Sequence, residues 1–439
     1  MSTTPDVVRI CSDLIAIDTS NYGSNGSKGE RAAAEYVDAL LRAAGYEPEL
    51  VESEPGRANL VLRVPGADRS APGVVVHGHL DVVPADPELW SVPPFEGRVA
   101  DGYIWGRGAC DMKDMVAMMV ATLLRWAQTG TVPHRDLVFA FVADEEEDGA
   151  LGAEWLVRKR PALFDGVAVA VGESGGRAVE VTGPDGRVHR FYPVAVAERG
   201  SLHMRVHADG TAGHGSRPSP DNPVAHLVRG LARVTEHRWP MEISAAPRKL
   251  LTTAAEVLGL EADLDSEASV EALLDQLGPL RDFVEPSLRC STNVTVLDAG
   301  YKFNVVPSEA EAEIDVRSLP GGEEHQLATL DELLGPRVTR RFLSYRPAIA
   351  AGWENPWFEA MSRAILAHDP EGVVVPFCMG GGTDAKPFHE LGMAGFGFSP
   401  LTLDGEGRTP DGMHGVDERV PVASVVGGLA VLEEFLRTV

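Results

Sequence analysis

Short apolar runs punctuate the first part of the chain: NLVLRV (59–64), GVVVHG (73–78), LVFAFVA (137–143) and GVAVAVG (166–172). Each has strand length and β-branched content, and none has helical spacing. Between them lie segments of a different period. KGERAAAEYVDALLRAA (28–44) is amphipathic and stops at Gly45, MKDMVAMMVATLLRWAQTG (112–130) is long, apolar and ends in glycine, and GAEWLVRKR (152–160) reads as a further helix. Strands that alternate with helices predict an α/β fold with a mostly parallel sheet and helices on both faces.

The pattern changes near residue 198. RGSLHMRVHAD (199–209) and AEAEIDVRS (310–318) alternate apolar with polar, which suits half-exposed antiparallel strands, and helices are expected near 222–235 and 265–278. After about residue 345 the first pattern returns, with WFEAMSRAILAHD (357–369), AGFGFS (394–399) and SVVGGLAVLEEFLRT (424–438). The expected organisation is one α/β catalytic domain, residues 1–197 and 346–439, interrupted by a smaller α+β domain, residues 198–345. With 439 residues the chain is long enough for two cores.

Charge narrows the partners. The chain has 65 acids against 39 bases, a formal charge of −26, so neither nucleic acid nor an anionic membrane is expected to bind it. The N-terminal stretch MSTTPDVVRICSDL has no basic region followed by an apolar run, and no leader is expected. Cys11, Cys110, Cys290 and Cys378 are scattered and form no CxxC, which fits free thiols and a cytoplasmic location. Cys110, although next to Asp111, is expected to be a small buried residue rather than a ligand.

In open α/β sheets, ligands bind beyond the carboxyl ends of the strands. The residues following each run are therefore informative. After 74–76 comes HGHLD, with His77, His79 and Asp81; after 137–143 comes DEEED (144–148); after 167–171 comes GES, with Glu173. Asp111 lies in the glycine-rich GRGACDMKD, and His414 lies in DGMHGVDE. Singly, a loop histidine or an acidic loop is ordinary solvated surface. Jointly, histidine, aspartate and several glutamates on one sheet edge repel one another unless a cation lies between them. Such donors suit Zn²⁺, Mn²⁺ or Co²⁺, and there are enough for two ions. Two ions about 3.5–4 Å apart can clamp a water and polarise a carbonyl.

HGHLDVVP, GRGACDMKD, ADEEEDGALGA, the GES glutamate and the late MHG together resemble, in order and along nearly the whole chain, the M20 metallopeptidases. That family includes glutamate carboxypeptidases, aminoacylases, carboxypeptidase S and succinyl-diaminopimelate desuccinylases. The resemblance implies an inserted lid or dimerisation domain and two zinc ions. It implies that His79 and Glu173 hold one ion, that Glu146 and His414 hold the other, and that Asp111 bridges them. Asp81 would orient His79, and Glu145 would be the general base. Glu147 and Asp148 read as solvated. His214, in GTAGHGSRP (210–218), would stabilise an oxyanion, often from a partner subunit, and Asn304 and Arg317 would bind a substrate carboxylate. Gly382 and Thr383, in GGGTDA (380–385), would form a backbone clamp near the substrate.

The activity implied is dinuclear-zinc hydrolysis of the amide bond in small N-acyl amino acids or dipeptides with a free carboxylate. A succinyl-diaminopimelate desuccinylase or acetylornithine deacetylase would use the same machinery. A non-catalytic metal scaffold would keep the ligands and lose the base, whereas Glu145 is present. The branch with a cysteine ligand carries Cys–Gly–His–Asp, and HGHLD lacks it.

Overall fold

The computed structural model describes residues 6–23 and 26–439; the first five residues of the stretch read for a leader lie outside it. Four parallel strands form the centre of a ten-stranded sheet: Leu137–Val142, Gly73–His79, Val167–Gly172 and Ala394–Gly397, in that spatial order. Their continuous apolar runs follow from burial on both faces. Val74 and Val76 join one helical layer, whereas Val75 joins the other. The first layer contains Lys113–Thr129, a helix apolar all round and therefore sunk in the core, with Trp126 about 1 % exposed. Gly130 closes that helix in the left-handed conformation, φ +69°, and its N–H bonds to the Trp126 carbonyl. The other face is covered by Ala153–Lys159 and Ala385–Glu390 through Leu156 and Phe388. Each large side chain buried this completely stabilises the fold by about 1.5–3 kcal/mol, so packing fixes where the strand ends lie.

One margin of the sheet is antiparallel and the other is mixed. Glu49–Glu54 pairs with Arg57–Val64, which pairs with Leu137–Val142. On the far side the eleven-residue strand Val188–Glu198 pairs in parallel with Val373–Met379. The apolar pattern did not predict these last two strands. Each carries a proline, a breaker signal in a strand, and the two prolines sit side by side, with Val375 opposite Pro193 and Pro376 opposite Val194.

The inserted span contains a second, wholly antiparallel sheet: Ser291–Asp298, Glu309–Ser318, Gly200–Asp209 and Thr339–Arg346, in that order. Leu202, Met204, Val206, Ala310, Ala312 and Ile314 pack under helices Pro223–Glu236 and Glu323–Leu334. Alternate residues His203, Arg205 and His207 face outward, opposite Asp315, Glu313 and Glu311. The rest of the span departs from this sheet. Helices Ala245–Leu258, Glu267–Leu274 and Arg281–Val284 pack their apolar side chains against Val179, Phe191, Val375 and Phe377 of the large sheet. Residues 198–345 therefore feed two cores. Among the described residues, no helix is long and apolar enough to cross a membrane.

Candidate active site

His79 ends its strand and is buried. Its Nδ1 lies 2.9 Å from the Asp81 backbone carbonyl, and its Nε2 lies 2.9 Å from Asp111 Oδ1 and 3.9 Å from Glu173 Oε2. His414 approaches from a distant loop, with Nε2 at 3.1 Å from Asp111 Oδ2 and 3.3 Å from Glu146 Oε2. Asp111 thus meets one imidazole with each oxygen. Ligand atoms of His79, Glu145 and Glu173 lie within 4.8 Å of one another, as do those of His79, Asp111 and Glu146.

Asp81 works mainly through its backbone carbonyl on His79. Its carboxylate, 3.6 Å from Nδ1, accepts the backbone N–H groups of Glu145 and Glu146 and the Asn21 amide. The carboxylate thereby fixes the acidic loop. Asp144 does the same from beneath. It is buried, accepts from Arg57 at 2.6 Å and Asn21 at 3.1 Å, and takes the Leu151 N–H at 2.9 Å. Arg57 also pairs with buried Glu30. Gly152 lets the loop close, because a Cβ there would lie 1.7 Å from the Ala143 carbonyl oxygen. The five acids therefore divide. Asp144 is a buried brace, Glu145 and Glu146 face the ligand cluster, and Glu147 and Asp148 are exposed.

The electrostatics call for a cation. Burial first, then Asp384, Asp111 and Glu146, push the Glu145 carboxyl up, against the opposing pull of His79. Burial, then Glu145 and Asp111, do the same to Glu173. Burial also opposes charge on Asp111, yet hydrogen bonds from His414 and His79 hold it below the usual carboxylate range. Hydrogen bonds to Asp111 and Glu146 push His414 up to about 10. Glu146 Oε1 is buried with no hydrogen-bond partner. A crowded carboxylate–imidazole set with an orphaned buried oxygen fits divalent metal ions.

Two clefts open on the cluster. The larger, about 520 Å³, is lined by Asp111, Glu145, Glu146, Glu173 and His414 together with apolar Phe283, Phe377, Met379, Leu401 and Met413. The smaller, about 170 Å³, joins Glu145 and Glu146 to Ser201, His203, Arg317, Arg346, Gly382 and Thr383. A profile of the peptidase family M20/M25/M40 matches residues 75–438. The chain belongs to that family.

This M20 metallohydrolase is 28 % identical over 416 residues to aminoacylase-1 of Sus scrofa, covering 92 % of this chain and 89 % of the relative. It is 27 % identical over 422 residues to the N-fatty-acyl-amino acid synthase/hydrolase PM20D1 of Bos taurus, covering 92 % and 81 %. Its fold is that of an M20 family metallo-carboxypeptidase from Sulfolobus solfataricus, with a TM-score of 0.72 at 16 % identity over 99 % of both chains. Human carnosine dipeptidase 1 shares it too, with a TM-score of 0.64 at 16 % identity over 98 % of this chain and 95 % of that one. Membership in the family implies a dinuclear metal site.

The other residues expected from the sequence are more scattered. His214 is exposed in the short strand Gly213–His214, hydrogen-bonded to the Ser216 hydroxyl at 2.8 Å, and it lines neither cleft. Asn304 lies beside it, where its carbonyl accepts the Gly215 N–H, and its side-chain oxygen is buried without a partner. Arg317 reaches the smaller cleft, but its guanidinium forks onto Asp315 at 2.7 and 3.1 Å. Thr383 gives both its N–H and its hydroxyl to buried Glu198, which leaves Gly382 between the two clefts. His77 stacks on Phe388 with centroids 5.0 Å apart, and burial lowers its pKa to about 3, so it is a neutral core residue.

Sequence reasoning missed Asp384. It is buried beside the cluster, burial raises its pKa to about 7, and its Oδ2 has no partner. Its neighbours Gly382 and Thr383 were the signal that could have found it. Asn21 and Arg57 were also missed, and no motif marks them. The Asp417–Glu418 corner ties the His414 loop down. Buried Glu418 pairs with Arg107 and accepts the Cys110 N–H at 2.8 Å, and Arg107 donates to the Gly415 carbonyl at 2.8 Å.

Proposed function

We propose that this protein hydrolyses the amide bond of small N-acyl amino acids or dipeptides with a free carboxylate, using two zinc ions. The observation that carries this reading is the convergence of His79, Asp111, Glu146, Glu173 and His414 around Glu145, at the mouth of a partly apolar cleft. In this reading His79 and Glu173 hold one ion, Glu146 and His414 the other, and Asp111 both. Bound there, the ions would polarise the scissile carbonyl and acidify a water.

Glu145 is the proton carrier. It makes no hydrogen bond to His414, unlike Glu146, and lines both clefts, where a water and a substrate would meet it. It removes a proton from the attacking water and gives it to the leaving amine. Asp81 holds the His79 ring and the acidic loop in place. His214 supplies a hydrogen bond to the oxyanion. Because it lines neither cleft of its own chain, a second copy or a closing movement must deliver it. A homodimer through the inserted span is favoured by Tyr301, 80 % exposed, and Phe303, 98 % exposed, in the loop that leads into strand 305–306, the partner of strand 213–214.

The test is a panel of N-acetyl and N-succinyl amino acids and dipeptides. Hydrolysis of at least one class should vanish on chelation and return with Zn²⁺, Co²⁺ or Mn²⁺. Full activity in protein shown to be metal-free by elemental analysis would refute the reading.

A further inference from the structure

Arg177 lies four residues beyond Glu173 and lines the larger cleft with the ligand cluster. Other buried or half-buried arginines have carboxylate partners. Arg57 holds Glu30 and Asp144, Arg107 holds Glu418, and Arg317 holds Asp315. Among the described residues Arg177 makes no hydrogen bond or ion pair; its guanidinium instead stacks 4.8 Å from the Phe283 ring centroid. It is half-buried, and burial pulls its pKa below the usual arginine value. Arg135 and Arg199 also lack a carboxylate, but they donate to the Pro72 carbonyl and to Ser291 and the Arg317 carbonyl, whereas Arg177 donates to nothing among the described residues. Cys110 and Asp282 offset its burial only in part, and no acceptor meets its N–H groups until an anion arrives.

The surroundings restrict that anion. Phe283, Phe377, Met379 and Leu401 give the cleft an apolar wall, and Asp282 stands beside Phe283. With Glu145, Glu146 and Glu173 also present, a phosphate dianion meets more repulsion than a monoanion. An arginine fork matches a carboxylate through two parallel hydrogen bonds. Stacking on Phe283 pre-orients that fork, which lowers the entropy of binding.

We propose that Arg177 anchors a carboxylate of the substrate and that the wall from Phe283 to Leu401 takes the apolar group next to it. This rests on the larger cleft being the substrate site, and it adds an anionic anchor at Arg177, in a different cleft from Arg317. Phe283 belongs to the helical excursion of the inserted span. That excursion therefore sets specificity while the ligand loops perform the chemistry.

The test uses the zinc-loaded full chain and calorimetric titration with 4-phenylbutyrate and its neutral amide. Arg177→Met keeps an apolar stem against Phe283. It should weaken the acid by about 10- to 150-fold, the range for a hydrogen bond to a charged group, and leave the amide within about twofold. Arg177→Lys keeps the charge without the fork and should fall in between; it also serves if the methionine variant does not fold. Equal weakening of acid and amide would show that Arg177 only packs on Phe283. An unchanged acid affinity at equal metal content would also overturn the anchor, as would full retention by lysine.

Kinetics then identify which carboxylate binds. N-acetyl-leucine carries it on the amino acid, and N-succinyl-leucinamide carries it on the acyl group. The substrate whose KM rises in Arg177→Met is the one whose carboxylate Arg177 holds. If no amide on the panel is cleaved yet the binding difference stands, the hydrolase reading fails and the anchor survives.

Discussion

The ligand edge of the large sheet and the outward face of the inserted sheet both carry residues of the M20 pattern, but only the first is assembled within one chain. At the ligand edge, five side chains from separate loops meet at ion-pair distances, and Asp81, Asn21 and Asp144 hold the acidic loop from behind. In the inserted span, His214 and Asn304 lie at a separate strand pair outside both clefts, and Arg317, on the four-stranded sheet, is neutralised by Asp315. The difference separates two kinds of preorganisation. The ligand edge stores charge repulsion that a cation relieves. The inserted face is relaxed, with His214 and Arg317 each satisfied by a neighbour of their own chain.

The largest effect expected from breaking this contrast is at Glu145. Glu145→Gln should retain both metals by elemental analysis and lose turnover by about 10²- to 10⁴-fold, the range for a general base. Glu146→Gln should lose metal instead. Wild-type turnover in Glu145→Gln would remove the base from the proposal.

A somewhat smaller loss is expected on the other face. His214→Ala should cost about 10²- to 10³-fold in kcat, as for an oxyanion donor, with metal content intact. Mixing it with Glu145→Gln sharpens the comparison. If a partner subunit supplies His214, exchanged heterodimers should regain activity by forming one intact site. If verified heterodimers stay inactive, the histidine acts within its own chain.

The smallest effect lies behind the ligands. Asp81→Asn keeps the backbone carbonyl that holds His79 but weakens the grip on the Glu145 and Glu146 N–H groups. Zinc affinity, read by competition with a chelator, should fall by about 10- to 100-fold. Unaltered affinity would mean that the Asp144–Arg57–Glu30 brace suffices alone.

The parallel centre of the fold was legible because strands buried on both faces must be apolar throughout, as Val74 to Val76 are. Strands 188–198 and 373–379 were hidden by Pro193 and Pro376, whose cost is absorbed where the two strands run side by side. The expected lid was half legible. Alternation revealed strands 200–209 and 309–318, but period says nothing about which sheet a helix covers, so the return of 245–284 to the large sheet could not be read. The ligand types were legible from residues that follow strands. Asp144 was not, because a bracing acid and a ligand acid look alike in DEEED; only the position of Arg57 tells them apart. Arg177 was invisible for the opposite reason, since its significance is the lack of a partner.

The tether from Glu418 to Arg107 and Cys110 has a consequence for the order of events on the ribosome. His79, Asp111, Glu146 and Glu173 are all made long before His414. At the ordinary rate of about 5–20 residues per second, the gap is on the order of tens of seconds. During that interval the acidic loops have emerged without their last imidazole and without the stitch that holds it. Closing the site requires one of the longest-range contacts in the chain, which is slow to form. A nascent or C-terminally shortened chain therefore carries most of the ligands and an incomplete centre. Hydrolytic competence becomes a check that synthesis has passed the His414 loop.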